Sequence, residues 1–267
     1  MAEAQDRYSE DRRQWAGFKL EGNGPHSSLT MMLAEVSRCL DTLPIAASRD
    51  DYRQAIVEQN ILGKATEATR KESFRRLREL YGLQPEMPVF RAYRELDAAD
   101  TDSRPLLSLL ITCARDPLLR ATMPVIIGTH EGATLGAQQF DEALDRAFPG
   151  HQKPKIRAAT ARHIASTWEQ SGHLVGKMNK VRTRVSVRPA AVVMALILGW
   201  IEGTRGAALF GTPWCEVLDL NAAQAQALAA QAHREGLMDL RVVGAVVEVS
   251  FPRFDTLLNG GGQDEPL

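Results

Sequence analysis

The chain has 267 residues, of which 44% are hydrophobic and 24% charged, and a formal net charge of −1. That length and balance describe a soluble globular protein with one large or two to three small domains. The strongest apolar run, Ala190 to Ile201, is shorter than the ~20 residues needed to cross a bilayer, and no N-terminal segment has the apolar core of a signal peptide. Cys39, Cys113 and Cys215 are odd in number, far apart and without metal-ligand spacing, so a reduced, cytoplasmic setting fits, with no membrane.

In chain order, residues 1–28 are polar and end in Glu21-Gly22-Asn23-Gly24-Pro25-His26, which reads as a weakly structured arm. Residues 29–100 read as a helical, helix-turn-helix-like domain. A helix is expected from Leu29 to Leu43 and a second near Asp50 to Ile61. Gly63-Lys64 breaks the second before a third helix, Thr66 to Tyr81, where Thr69 and Glu72 have capping-box spacing. Phe74, Leu77, Leu80 and Tyr81 form its apolar stripe, and Arg70, Lys71, Arg75, Arg76 and Arg78 occupy the other faces. With Lys64, that helix-break-helix is a candidate first DNA-binding element. Its alternative is an ordinary amphipathic helix laced with i,i+4 pairs such as Arg75 with Glu79. Residues 101–150 predict a leucine-rich bundle scaffold of helices Arg104 to Arg115, Pro117 to Ile127 and Gly136 to Phe148, with Gly128 to Gly132 as a helix-to-helix turn.

The charge of the chain is concentrated in residues 151–189. Nine cations, Lys153, Lys155, Arg157, Arg162, Lys177, Lys180, Arg182, Arg184 and Arg188, face a single acid, Glu169, a net of +8. Segregated charge costs self-repulsion, which a polyanion would relieve. The pattern predicts a helix, Ile156 to Ser171, closed by Gly172, with Ile156, Ala159 or Thr160, His163, Ile164, Thr167 and Trp168 on the packed side. Thr160, Ala161 and Ala165 are expected on the opposite side beside the cations, small enough to enter a groove. A basic hairpin follows. In its second strand Val181, Thr183, Val185 and Val187 share one face, and Arg182, Arg184 and Ser186 the solvent face. Helix, stop and basic hairpin in that order describe a winged helix, whose helix enters the major groove while the hairpin lies along phosphates.

Residues 190–256 carry four Lys or Arg against nine Asp or Glu when counted through the C-terminus, so they offer no second polyanion site. They predict the buried helix Ala190 to Ile201, a helix Ala222 to Arg234 opened by Asn221 and Gln224, and a hairpin turning at Gly244-Ala245. The helix-plus-hairpin plan is thus repeated without the charge, as a partner surface or buttress. Residues 257–267 read as a disordered tail.

Asn60-Ile61-Leu62-Gly63-Lys64, Thr66, Thr69, the basic helix Arg70 to Tyr81, the leucine-rich Leu106 to Ala114 and the basic helix with its hairpin together resemble the BrxA family of BREX bacteriophage-exclusion systems, over about residues 50 to 188. The resemblance implies a mostly helical, non-enzymatic protein that binds double-stranded DNA through helix-turn-helix-like elements at both ends, among other defence-system subunits.

Catalytic signatures are missing: there is no phosphate-binding glycine loop, no dinucleotide fingerprint and no His-Glu-x-x-His. The six histidines show no ligand pairing, and His130-Glu131 and Asp141-Glu142 are explained by loop and helix-start chemistry. The expectation is therefore a mainly α, cofactor-free DNA-binding protein. Its alternatives are an assembly adaptor that docks other subunits through the C-terminal part, or a winged-helix transcriptional regulator.

Overall fold

Proline and arginine set the ends of most helices in this chain. The computed structural model describes residues 10–21, 24–177, 180–244 and 246–258. After a helical stretch at residues 10–16, the helices are α1 (Leu33–Thr42), α2 (Arg49–Arg53), α3 (Glu67–Tyr81), α4 (Pro88–Ala99), α5 (Arg104–Arg115), α6 (Pro117–Arg120) and α7 (Met123–Ile127). Next come α8 (Ala137–Ala147), α9 (Pro154–Gln170), α10 (Pro189–Ile201), α11 (Pro213–Glu216), α12 (Ala222–Arg234) and α13 (Asp255–Leu258). Pro88, Pro117, Pro154, Pro189 and Pro213 each open a helix, where the missing N–H costs nothing. Pro124 does the same for α7, so the single helix expected from Pro117 to Ile127 is two short ones.

Two small antiparallel sheets complete the fold. β1 (Thr134–Leu135), β2 (Leu174–Val175) and β3 (Lys180–Arg182) lie in the order β1-β3-β2, with Thr134 opposite Val181 and Leu174 opposite Arg182. α8 and α9 sit between β1 and β2 in sequence, which gives the strand-helix-helix-hairpin connectivity of a winged helix. The segment at Gly128 to Gly132 therefore leads into a strand, not a helix. β1 has two residues, too few for alternation to reveal it. β4 (Asp239–Val243) and β5 (Val246–Ser250) form the second hairpin directly after α12, whose Asn221–Gln224 capping box is the expected one.

Local chemistry explains the other departures. The capping box of α3 is formed by Thr66 and Thr69, one turn before the spacing of Thr69 and Glu72 suggested. α1 begins at Leu33 because Met32 takes a left-handed conformation, leaving Leu29 and Met31 buried in an extended stretch. Asn60 and Gly63 both have positive φ, and the Asn60 side chain spans the loop to the Lys64 backbone, accepting from its N–H at 2.8 Å and donating to its carbonyl at 3.1 Å. The apolar α10 is buried along its length except at Trp200 and packs against α4, α5, α11 and α12. One contiguous hydrophobic cluster runs from Ala16 to Leu258, so the six sequence segments share a core. Within the tail, residues 257–258 close α13 and Leu258 is buried; the rest of that segment lies outside the described residues.

The N-terminal arm is the largest correction. Ala16, Phe18, Pro25 and His26 are buried, held by the turn that joins α5 to α7. Arg115 donates to the Gly17 carbonyl at 2.8 Å and Arg120 to the Lys19 carbonyl at 2.8 Å. Asp116 accepts from the His26 backbone N–H at 2.8 Å and from its Nδ1 at 2.7 Å, with both residues fully buried. The far ring nitrogen, Nε2, lies 2.8 Å from the Thr167 hydroxyl on α9, which also accepts from the Met31 N–H. Burial alone would raise the pKa of Asp116, but the charge and hydrogen bonds of His26 outweigh it and hold the carboxyl below its usual range. Gly24 is obligatory here, because a Cβ would sit 1.7 Å from Asp116 Oδ1.

Two stability outcomes follow from this packing. Replacing Asp116 by Ala strands the His26 ring and the first N–H groups of α6, and should cost ~3–5 kcal/mol in urea unfolding. The buried His173, between Ser171 and the Val217 carbonyl, has its pKa pushed down to about 4 by burial. The unfolded imidazole titrates near ~6.5, so below that pH the unfolded chain binds a proton that the native state refuses. Stability is then full above pH ~6.5 and falls by up to ~1.4 kcal/mol per pH unit toward pH 4. Melting temperatures measured from pH 7.5 to 5 should fall accordingly, and His173→Gln should flatten that slope.

Candidate nucleic-acid interface

α9 is the second helix of this strand-helix-helix-hairpin unit. Thr160, Ala161, Ile164, Ala165, Thr167 and Trp168 form its buried side, and the Trp168 indole donates to the Thr122 hydroxyl at 3.1 Å. The small residues expected to face a groove, Thr160, Ala161 and Ala165, are thus inside, where they let α9 approach the rest of the protein closely. Ile156, expected on the packed stripe, is 49% exposed instead. The outward face carries Lys155, Ala158, Ala159, Arg162 and Ser166, so the small side chains available to a groove are Ala158 and Ala159.

The hairpin is only partly the wing expected from alternation. β3 ends at Arg182, and the stretch from Thr183 to Arg188 is not a strand. Arg182, assigned to the solvent face, is 2% exposed. Its guanidinium pairs with the Asp219 carboxylate and donates to the Thr183 carbonyl and, at 3.3 Å, to the Ile126 carbonyl. The opposite carboxylate oxygen of Asp219 accepts from the Val185 N–H at 3.1 Å. Alternation placed Arg182 outward because it supposed that only the valine face had anything to pack against. Arg184 is exposed and borders a hollow of about 500 Å³ that also holds His130 and Glu131.

Four of the nine cations, Arg182 among them, are paired with carboxylates in space, three of them with acids outside residues 151–189. Arg157 bonds Asp141 at 3.2 Å and Asp145, both on α8; Lys180 pairs with Glu169; Arg188 bonds Asp100 at 2.7 Å. The pKa values of Arg157 and Arg188 are raised chiefly by their hydrogen bonds to Asp141 and Asp100 respectively. Lys153, Lys155, Arg162, Lys177 and Arg184 hold no carboxylate among the described residues. Of these, Arg162 and Lys177 meet Lys180 and Ser166 around a cleft of about 320 Å³ that opens at the N-terminus of α8, at Gly136 and Ala137. Gly136 brings no side-chain cap to the N–H groups of α8 there. The cleft has cations on the helix and at the turn end of the hairpin, a hydroxyl and a helix N-terminus, all suited to an anionic oxygen. Ser166 and Gly136 were not singled out by the sequence, because their part in this cleft depends on the two-residue β1.

In the N-terminal basic element several cations are paired, Arg75 with Glu79 as the i,i+4 spacing predicts. Lys64 bonds Glu35 at 3.0 Å, Lys71 bonds Glu67 at 2.7 Å, and Arg75 bonds both Glu72 and Glu79 at 2.7 and 2.6 Å. Arg70 is half-buried, with a buried Nε that has no partner. Lys71, Arg75 and Arg76 of α3 are therefore engaged in intrahelical pairs, while Arg70 and the exposed Arg78 hold no carboxylate among the described residues. These pairs are what hold Glu72 down to about 2, through its hydrogen bonds with Arg75 and Arg76.

Comparison with protein-family models, curated proteins and solved structures finds no match for this chain. Among the described residues no group of His, Cys, Asp or Glu is placed to hold a metal ion, and no helix is long and apolar enough to cross a membrane.

The two wing arginines should separate cleanly in mutagenesis. Arg182→Ala leaves the Asp219 carboxylate without its cation and should cost about 3 kcal/mol of stability, whereas Arg184→Ala removes an exposed side chain and should shift stability by less than ~0.5 kcal/mol. Urea denaturation midpoints of the two variants decide this.

Proposed function

We propose that this protein is a non-enzymatic, double-stranded DNA-binding protein that grips the sugar-phosphate backbone through α9 and the turn end of its hairpin. The observation that carries the reading is the set of uncompensated cations, Lys153, Lys155, Arg162 and Lys177, on the outward side of a winged-helix unit. Uncompensated charge is what a protein spends on phosphates, since releasing condensed counterions supplies most of the affinity. Lys155 and Arg162 flank the small Ala158 and Ala159, so the helix presents a narrow profile with a cation at either end. Bidentate base readout has few candidates on that face, and the contacts are chiefly to phosphates with weak sequence preference. The resemblance to BrxA proteins extends the proposal to a subunit of an anti-phage assembly. A methyltransferase and an alkaline-phosphatase-like protein encoded beside it would support that setting, and other neighbours would remove the setting without touching DNA binding.

Four phosphates neutralised by these four cations give a log-log salt slope near −3.6, so affinity for a duplex should fall about 150-fold between 50 and 200 mM salt. The paired variant Arg162→Glu with Lys177→Glu should weaken binding at least ~tenfold at low salt with the melting temperature nearly unchanged. Lys71→Glu with Arg75→Glu, which alters a lattice of internal pairs, should change affinity by less than about threefold. A slope near zero in fluorescence anisotropy, or a larger loss from the α3 variant than from the α9 variant, overturns the assignment.

A further inference from the structure

A cavity of about 420 Å³ opens between α7, α11 and the C-terminal end of α10, on surfaces that the basic face of α9 does not use. Its walls are Met123, Pro124 and Ile127 on one side and Pro213 and Trp214 on the other. The volume falls in the ~300–1,000 Å³ range of small-molecule sites, and the lining is what such sites have: apolar walls with a few placed charges.

The charges are specific. Glu202 and Glu216 border the cavity, and Arg120 is the only cation among its lining residues. Arg120 is spent on the protein: its guanidinium donates to the Cys113 and Ala114 carbonyls, both at 2.9 Å, and to the Lys19 carbonyl. Burial lowers its pKa. Glu202 is oriented by the Trp214 indole N–H, 2.7 Å from Oε2, and among the described residues no hydrogen bond occupies its Oε1. Glu216 is exposed at the mouth and makes no ion pair among the described residues. Two carboxylates against one committed guanidinium leave one negative charge in excess beside an indole and aliphatic walls.

We propose that this cavity binds a small hydrophobic monocation, an alkyl- or arylalkyl-ammonium, with its apolar body against Met123, Ile127 and Trp214 and its ammonium between Glu202 and Glu216. This goes beyond DNA binding and does not rest on it. The position also gives an occupant leverage on the winged helix. α7 forms one wall; Thr122 at its start accepts from Trp168 of α9, and Ile126 near its end accepts from Arg182 at the hairpin base. An occupant that moves α7 therefore acts on α9 and the hairpin together.

The test compares three probes of one shape, phenethylammonium, 2-phenylethanol and phenylacetate, titrated into the full-length protein by calorimetry at constant ionic strength. Phenethylammonium should bind saturably, 2-phenylethanol about fivefold more weakly, as partly exposed carboxylates allow, and phenylacetate more weakly still. Glu216→Gln lies on the exposed rim, so it should fold normally; it should bring phenethylammonium down to the affinity of 2-phenylethanol and leave the alcohol unchanged. No saturable binding of phenethylammonium, equal affinity for all three probes, or an unchanged affinity in Glu216→Gln overturns the proposal. No nucleic acid enters the assay, so its outcome is independent of the DNA reading.

Discussion

The turn from Arg115 to Arg120 holds the molecule together. Each of its charged residues satisfies backbone groups that would otherwise be buried and unpaired. Arg115 donates to the Arg78, Glu79 and Leu80 carbonyls at the end of α3 and to Gly17; Asp116 accepts from the first N–H groups of α6 and from His26; Arg120 donates to the carbonyls that end α5 and to Lys19. Arg115 has no carboxylate partner among the described residues, and burial lowers its pKa to about 10, so it remains charged at neutral pH. It is stabilised by carbonyl dipoles instead, at the helix end where the macrodipole favours a cation. The same device recurs. Arg94 donates to the Leu40 and Leu43 carbonyls at the end of α1, and Arg205 to the Trp200 and Thr204 carbonyls near the end of α10. Short helices have a large share of orphan carbonyls, and arginine, with five donors in a fixed fork, serves several at once.

This demand explains why a linear charge count overstates the uncompensated charge. An arginine count along the chain mixes groups that face solvent with groups consumed at helix ends or by distant acids. Arg182 shows both uses, donating to the Ile126 carbonyl near the end of α7 and pairing with Asp219. Lysines divide differently, because a flexible ammonium on a long stem suits exposed positions. Lys153, Lys155 and Lys177 stay outside, and Arg162 is the one arginine on the outward face of α9. The +8 of residues 151–189 becomes, after pairing, five cations without a carboxylate among the described residues, of which Arg162 and Lys177 line the Ser166 cleft.

Much of the secondary structure was legible because its signals are local. Pro154 and Ser171-Gly172 bracket α9, Asn221 and Gln224 start α12, Arg104 to Arg115 is a helix as its leucine spacing predicts, and Gly244 turns the second hairpin. What escaped depends on contacts between distant positions. His26 reads as part of a polar arm until Asp116, ninety residues later, is placed against it. β1 is too short for any pattern, yet it turns a helix and a hairpin into a winged helix. The site residues divided the same way: a pairing at i,i+4, as in Arg75 with Glu79, was visible in the sequence, whereas Arg157 with Asp145 and Arg182 with Asp219 were not.

The two helix-plus-hairpin units differ in a way that follows from how each hairpin is supported. The first gains a third strand, β1, and is anchored by the buried Arg182, so its tip can carry lysine without losing its register. The second has only two strands, and a lone two-stranded hairpin is marginal in water. Cross-strand β-branched pairs supply what the missing strand does not: Val242 opposite Val247 and Val243 opposite Val246, each such pair worth roughly 0.2–1 kcal/mol. Its exposed valines, Val243 at 77% and Val246 at 70%, therefore stabilise the hairpin from within. Lysines at those positions would give up the pairing that holds the turn end of the hairpin, the part farthest from the core contacts of Leu240, Val247 and Val249. The same constraint that lets the first unit carry lysine at its turn end keeps the strand ends beside the second turn apolar.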